Sequence, residues 1–136
     1  FTPSEVHAAE TVFSTAPPNS LLIEGTQTFP TEFAHQENFT YVAIADEPPV
    51  SQNSVVRDPV GVLYTWMADP IHAQAYLIFT RSQFAESDST GLMKRGALQR
   101  IEATLLKSDR FDVLYHDRDA LVLTVPRTAT SESSTP

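Results

Sequence analysis

Along this chain the apolar positions change period several times, and each change marks an element. In SEVHAAETVFST (4–15), Val6, Ala9 and Phe13 fall at i, i+3 and i+7. That spacing predicts a helix with one apolar stripe. Ser4 suits its N-cap and Glu5 its first turn, and Pro17 and Pro18 stop it. LLIEG (21–25) is a short apolar run closed by Gly25, which predicts a buried strand. FTYVAIA (39–45) predicts another strand from its β-branched and aromatic content. DEPPVSQNS (46–54) predicts a loop from its turn residues. Elsewhere in residues 26–55 the aromatics, Phe29 and Phe33 among them, are spread through polar sequence without a period.

A second helix is predicted from Asp58-Pro59, an N-cap followed by proline at the first helical position. Val60, Leu63, Tyr64 and Met67 share one face of it. Gly61 weakens it by about 1 kcal/mol relative to alanine, and Pro70 ends it near Ala68 or Asp69. QAYLIFT (74–80) is apolar on both faces, as a central strand covered on both sides must be. RSQFAESDS (81–89) is expected to be a loop leading into a capped amphipathic helix over residues 87–109, with Leu98, Ile101 and Leu105 as its stripe. FDVLYHDRDALVLTV (111–125) reads as two alternating runs around the polar turn HDRD (116–119), a β-hairpin. Helices between strands predict an α/β fold, with a small mixed β-sheet containing parallel pairs, a C-terminal hairpin, and helices packed on the sheet. The expected organisation is a single domain over residues 1–126 and a disordered Ser/Thr/Pro-rich tail, RTATSESSTP, over 127–136.

Composition narrows the function classes. The chain has 136 residues and no cysteine, so disulfides and thiolate metal sites are excluded. Its net charge is −8, with only nine Lys and Arg, scattered along the sequence. Nucleic-acid binding and attraction to an anionic membrane surface both need clustered cations, so neither is expected. The first residue is Phe1, and no basic segment followed by an apolar one precedes the folded region. No apolar run approaches the ~18 residues of a membrane span. The expectation is a piece cut from a longer protein whose missing flank bears on its function.

The chemistry-bearing residues form no catalytic signature. His7, His35, His72 and His116 make no HxH, HxxxH or HExxH pattern, so no metal site is expected, and no cofactor. Asp117 and Asp119 flank Arg118, where two carboxylates could chelate a cation or act as an acid–base pair. Turn formation and solvation account for them more simply, and the same holds for Asp46-Glu47. There is no GxSxG elbow, no SxxK pair and no glycine-rich phosphate loop, so no catalytic residue is assigned. Arg81, Ser82 and Gln83 directly follow the central strand. In open α/β sheets ligands bind beyond the carboxyl ends of strands, which makes these three the candidate ligand contacts. Trp66, Phe33 and Phe39 are candidates for a carbohydrate or partner surface, Trp66 because it falls off the apolar stripe of its helix. A second core layer under the long loop is the competing explanation, and burial statistics favour it.

APPNSLLIEG (16–25), AYLIFTRSQ (75–83) and LQRIEATLLKSDRFDVLYHDRDALVLTV (98–125) cover about half of the chain. Together they resemble the C-terminal extracytoplasmic domains of bacterial, especially actinobacterial, polytopic membrane proteins. Many of those proteins are glycosyltransferase-like and use polyprenyl-phosphate sugars. The resemblance implies a non-catalytic accessory domain that aids binding of an acceptor glycan or a cell-envelope partner, beside the membrane-embedded part of its own chain. It carries over no catalytic residue, because that family's acidic residue lies in the membrane-proximal part. The alternative is a small stand-alone enzyme or ligand-binding domain with its pocket near Arg81.

Overall fold

The computed structural model describes residues 2–26 and 39–126, and it is an α/β fold. Its elements run α1 (Pro3–Thr15), β1 (Ser20–Glu24), β2 (Phe39–Ala43), a 3₁₀ turn (Ile44–Asp46), α2 (Pro49–Arg57), α3 (Pro59–Ala68), β3 (Ala75–Thr80), α4 (Arg81–Thr90), α5 (Ala97–Leu106), β4 (Asp112–His116) and β5 (Ala120–Thr124). The five strands form one sheet in the order β2-β1-β3-β5-β4. β1 pairs in parallel with both β2 and β3, whereas β5 pairs antiparallel with β3 and β4. The mixed sheet with a terminal hairpin is the one the hydrophobic pattern predicts.

Strand alternation sends side chains to two cores. On one face Leu22, Tyr76, Ile78 and Val122 pack against Ala8, Ala9 and Val12 of α1. On the other, Leu21, Ile23, Leu77 and Phe79 meet Val55 of α2, Leu63 and Met67 of α3, and Leu98, Ile101 and Leu105 of α5. Burial on both faces explains why β1 and β3 read as continuous apolar runs.

Several boundaries differ from the sequence reading, each for a local reason. The N-cap of α1 is Thr2, whose Oγ1 accepts from the Glu5 N–H at 3.2 Å. Proline at the first helical position, Pro3, fixes the start there rather than at Ser4. The strand predicted over 39–45 stops at Ala43 and turns into the 3₁₀ segment. The loop predicted over 46–54 is largely α2. Pro48-Pro49 starts that helix, and Val55 anchors it in the core.

The largest correction lies between β3 and β4. Residues 81–89, expected to be a loop, are helical. Thr80 caps α4 by accepting from the Gln83 N–H. The helix predicted over 87–109 is two helices, because Gly91 (φ 72°) and Gly96 (φ 77°) both adopt the left-handed conformation and break it. The Asp88 carboxylate clamps the break, accepting from the Gly96 N–H at 2.9 Å and from Gln99 Nε2 at 3.1 Å. Those bonds hold the Asp88 carboxyl below its usual range, chiefly the one from Gly96. The Ser/Thr/Pro-rich tail over 127–136, expected to be disordered, and Phe33, expected at a partner surface, lie outside the described residues.

Candidate functional site

From β1 the chain passes to β2 on one side of the sheet, and from β3 it passes to the hairpin on the other. The connections therefore diverge between the carboxyl ends of these two parallel neighbours, and divergence of this kind opens a crevice in α/β sheets. Among the described residues the buried polar side chains are Glu5, Ser20, Glu24, Thr26, Thr80, Gln83 and Ser87; Glu24, Thr26, Thr80 and Gln83 lie at or just beyond these strand ends, and Glu5 reaches the start of α4.

Glu24 is the last residue of β1 and is 6% exposed. Its register opposite Ile78 puts it on the α1 side of the sheet. Burial, reinforced by the negative charge of Asp46 beyond the end of β2, pushes its carboxyl up to about 7. Near neutral pH it can therefore either donate or accept a proton. Gln83 lies wholly buried in the first turn of α4 and reaches across to β1, where its Oε1 accepts from the Gly25 N–H at 2.9 Å. A Cβ at Gly25 would stand 2.9 Å from that oxygen and 2.9 Å from Leu98 Cδ1, so a larger residue there would push the ends of these two side chains aside. Ser87 follows Gln83 by four residues and shares its helix face. Four atoms at this end, Glu24 Oε1, Thr26 Oγ1, Gln83 Nε2 and Ser87 Oγ, are buried without a hydrogen-bond partner. Each such group costs about 1–3 kcal/mol in a folded protein. They comprise two hydroxyls, an amide donor and a carboxyl that works either way, with Glu24 on the α1 side of the sheet and Gln83 beside Leu98 of the opposite core.

The three residues predicted from the strand-end position divide among different tasks. Gln83 is part of this buried group. Arg81 points outward, with its side chain 68% exposed and its Nη1 3.2 Å from Asp119 Oδ1. Ser82 contributes its backbone N–H, which donates to Glu5 Oε2 at 3.2 Å and ties α1 to the start of α4. Asp117 accepts from the Tyr115 hydroxyl at 2.6 Å and from the Asp119 and Ala120 N–H groups, which is turn chemistry. The hydrogen bond from Tyr115 is the main reason its carboxyl falls to about 2. Phe39 packs 5.6 Å from the Phe13 ring in the α1-side core, and Trp66 is half-buried against the other core.

Sequence reasoning passed over Glu24, Thr26 and Ser87. One signal was present, the single acid inside the apolar run LLIEG, since an unpaired buried carboxylate is rare. No group of three or more His, Asp or Glu among the described residues is placed to hold a metal ion. No described helix is long and apolar enough to cross a membrane. No family model, curated protein or solved structure matches this chain.

Proposed function

We propose that this chain is a ligand-binding accessory domain, displayed on the extracytoplasmic face of a membrane by a larger protein. In this reading the crevice at the carboxyl ends of β1 and β3 takes a small neutral ligand bearing hydroxyl or amide groups, the class to which a sugar residue belongs. The observation that carries it is the group of four buried, unpartnered polar atoms on Glu24, Thr26, Gln83 and Ser87. Their mixture of donors and acceptors matches hydroxyls better than an anion, which would meet Glu24 and Asp46. The extracytoplasmic setting rests on the resemblance of residues 16–25, 75–83 and 98–125 to the outer domains of polytopic membrane proteins.

The test is an amide-resolved NMR titration with glucose, galactose and N-acetylglucosamine. Shifts centred on Gly25, Thr26, Gln83 and Ser87, lost in Glu24→Gln, are expected. If none of the sugars moves these four amides, the reading is wrong. A second reading is favoured by the carboxyl of Glu24 near 7 beside Asp46, the poise required of a general acid–base. Hydrolysis of p-nitrophenyl glycosides or esters by the domain, abolished in Glu24→Gln, would decide for that reading.

A further inference from the structure

The side chain of Trp66 separates two open grooves on the face of the sheet opposite Glu24. One, of about 580 Å³, runs between α2 and α3 and is lined by Ser51, Ser54, Asp58, Thr65 and Arg110 with the indole at one end. The other, of about 250 Å³, lies over β1 and β2 and is lined by Thr40, Glu47, Asp69 and His72 with the indole again as a wall. Part of the ring packs on the core, so its position is fixed, and the rest faces both grooves.

We propose that these two grooves form a single cleft that binds a linear neutral oligosaccharide, with Trp66 as the stacking platform between two sugar subsites. Aromatic rings offer the apolar surface that the C–H face of a pyranose covers, while its hydroxyls turn to flanking polar groups. Hydroxyls line both sides of the ring, Ser51, Ser54 and Thr65 in one groove and Thr40 in the other. His72 adds a buried Nδ1 without a hydrogen-bond partner, the kind of atom a sugar hydroxyl completes. Carboxylates decide the charge class. Glu47 and Asp69 line the smaller groove without a Lys or Arg, and the larger holds one carboxylate, Asp58, and one cation, Arg110. An acidic glycan would be repelled from the smaller groove, and a neutral one would not. The cleft shares no lining residue with the crevice around Glu24, so it stands or falls independently of that site.

Trp66 is the single tryptophan of the chain, so intrinsic fluorescence reports this cleft alone. The experiment titrates the protein with neutral manno-, cello- and chito-oligosaccharides of one to four residues, and with oligogalacturonate as the acidic probe. A change in Trp66 emission is expected with at least one neutral series. The trimer should bind about tenfold or more tighter than the monomer, because only the longer chain reaches the polar groups on both sides of Trp66. His72→Ala, at a partly exposed position outside the helices and strands, should weaken that trimer severalfold while the circular dichroism stays unchanged, and Trp66→Phe should bind it more weakly than wild type by calorimetry. Emission indifferent to every neutral oligomer, equal affinity for monomer and trimer, or preference for oligogalacturonate would each overturn the proposal.

Discussion

Glu24 is where a single side chain sets a property of the whole domain. Its carboxyl sits near 7 in the folded state and near 4.5 when exposed, so between those values the folded protein binds more protons than the unfolded one. Stability therefore falls as pH rises from about 4.5 to about 7 and levels off above. The linkage amounts to roughly 3 kcal/mol if the full difference is expressed. Glu24→Gln carries a neutral group at every pH. It should match the wild type near pH 5 and exceed it by about 2–3 kcal/mol near pH 8. Urea midpoints measured across that interval check this, and a wild type whose stability is flat from pH 5 to 8 would contradict it. This residue was only half legible in the sequence. The anomaly of an acid within LLIEG is visible there, but its burial and its charged neighbour depend on where α1 and Asp46 come to lie, and no local pattern encodes that.

Elements are where the sequence reading went furthest astray, and the reason yields predictions of definite sign. A single helix over 87–109 would make Gly91→Ala and Gly96→Ala stabilising, by up to about 1 kcal/mol each. Both glycines are left-handed, so the structure requires the opposite: each alanine should cost roughly 1–2 kcal/mol. Thermal melts of the two variants discriminate the readings directly. Apolar periodicity found the Leu98/Ile101/Leu105 stripe because α5 is amphipathic. It missed α4, whose buried positions are Gln83 and Ser87, polar residues that local pattern assigns to loops. The hairpin was legible because its turn chemistry is local. Asp117→Ala removes the acceptor for Tyr115, Asp119 and Ala120, and should cost roughly 1 kcal/mol at this partly exposed site. The Asp117 carboxyl is depressed to about 2. Its contribution is therefore present above about pH 4 and lost as the pH falls through 2, so the variant and wild type should converge in acid.

At the scale of the molecule, the α/β class followed from the alternation of apolar runs and stripes, since a two-sided sheet must hide β1 and β3 completely. Strand order did not follow, because nothing local tells β5 to enter between β3 and β4. That order makes β1 and β3 neighbours with diverging connections, and it brings Gln83 to Gly25 across 58 residues of sequence. The same sheet keeps the crevice and the Trp66 cleft apart. Glu24 faces the α1 side, whereas Leu21 and Val42, beneath the smaller groove, face α3. Sites on opposite faces with no shared contact should be energetically independent. Trp66→Ala should cost roughly 2 kcal/mol, less than the 3–5 of a fully buried tryptophan, because part of its ring is already in solvent. Combined with Glu24→Gln near pH 8, the two changes should add to within about 0.5 kcal/mol in a four-protein urea cycle. A coupling above about 1 kcal/mol would mean that the sheet transmits strain between its faces, making the two sites parts of one cooperative unit.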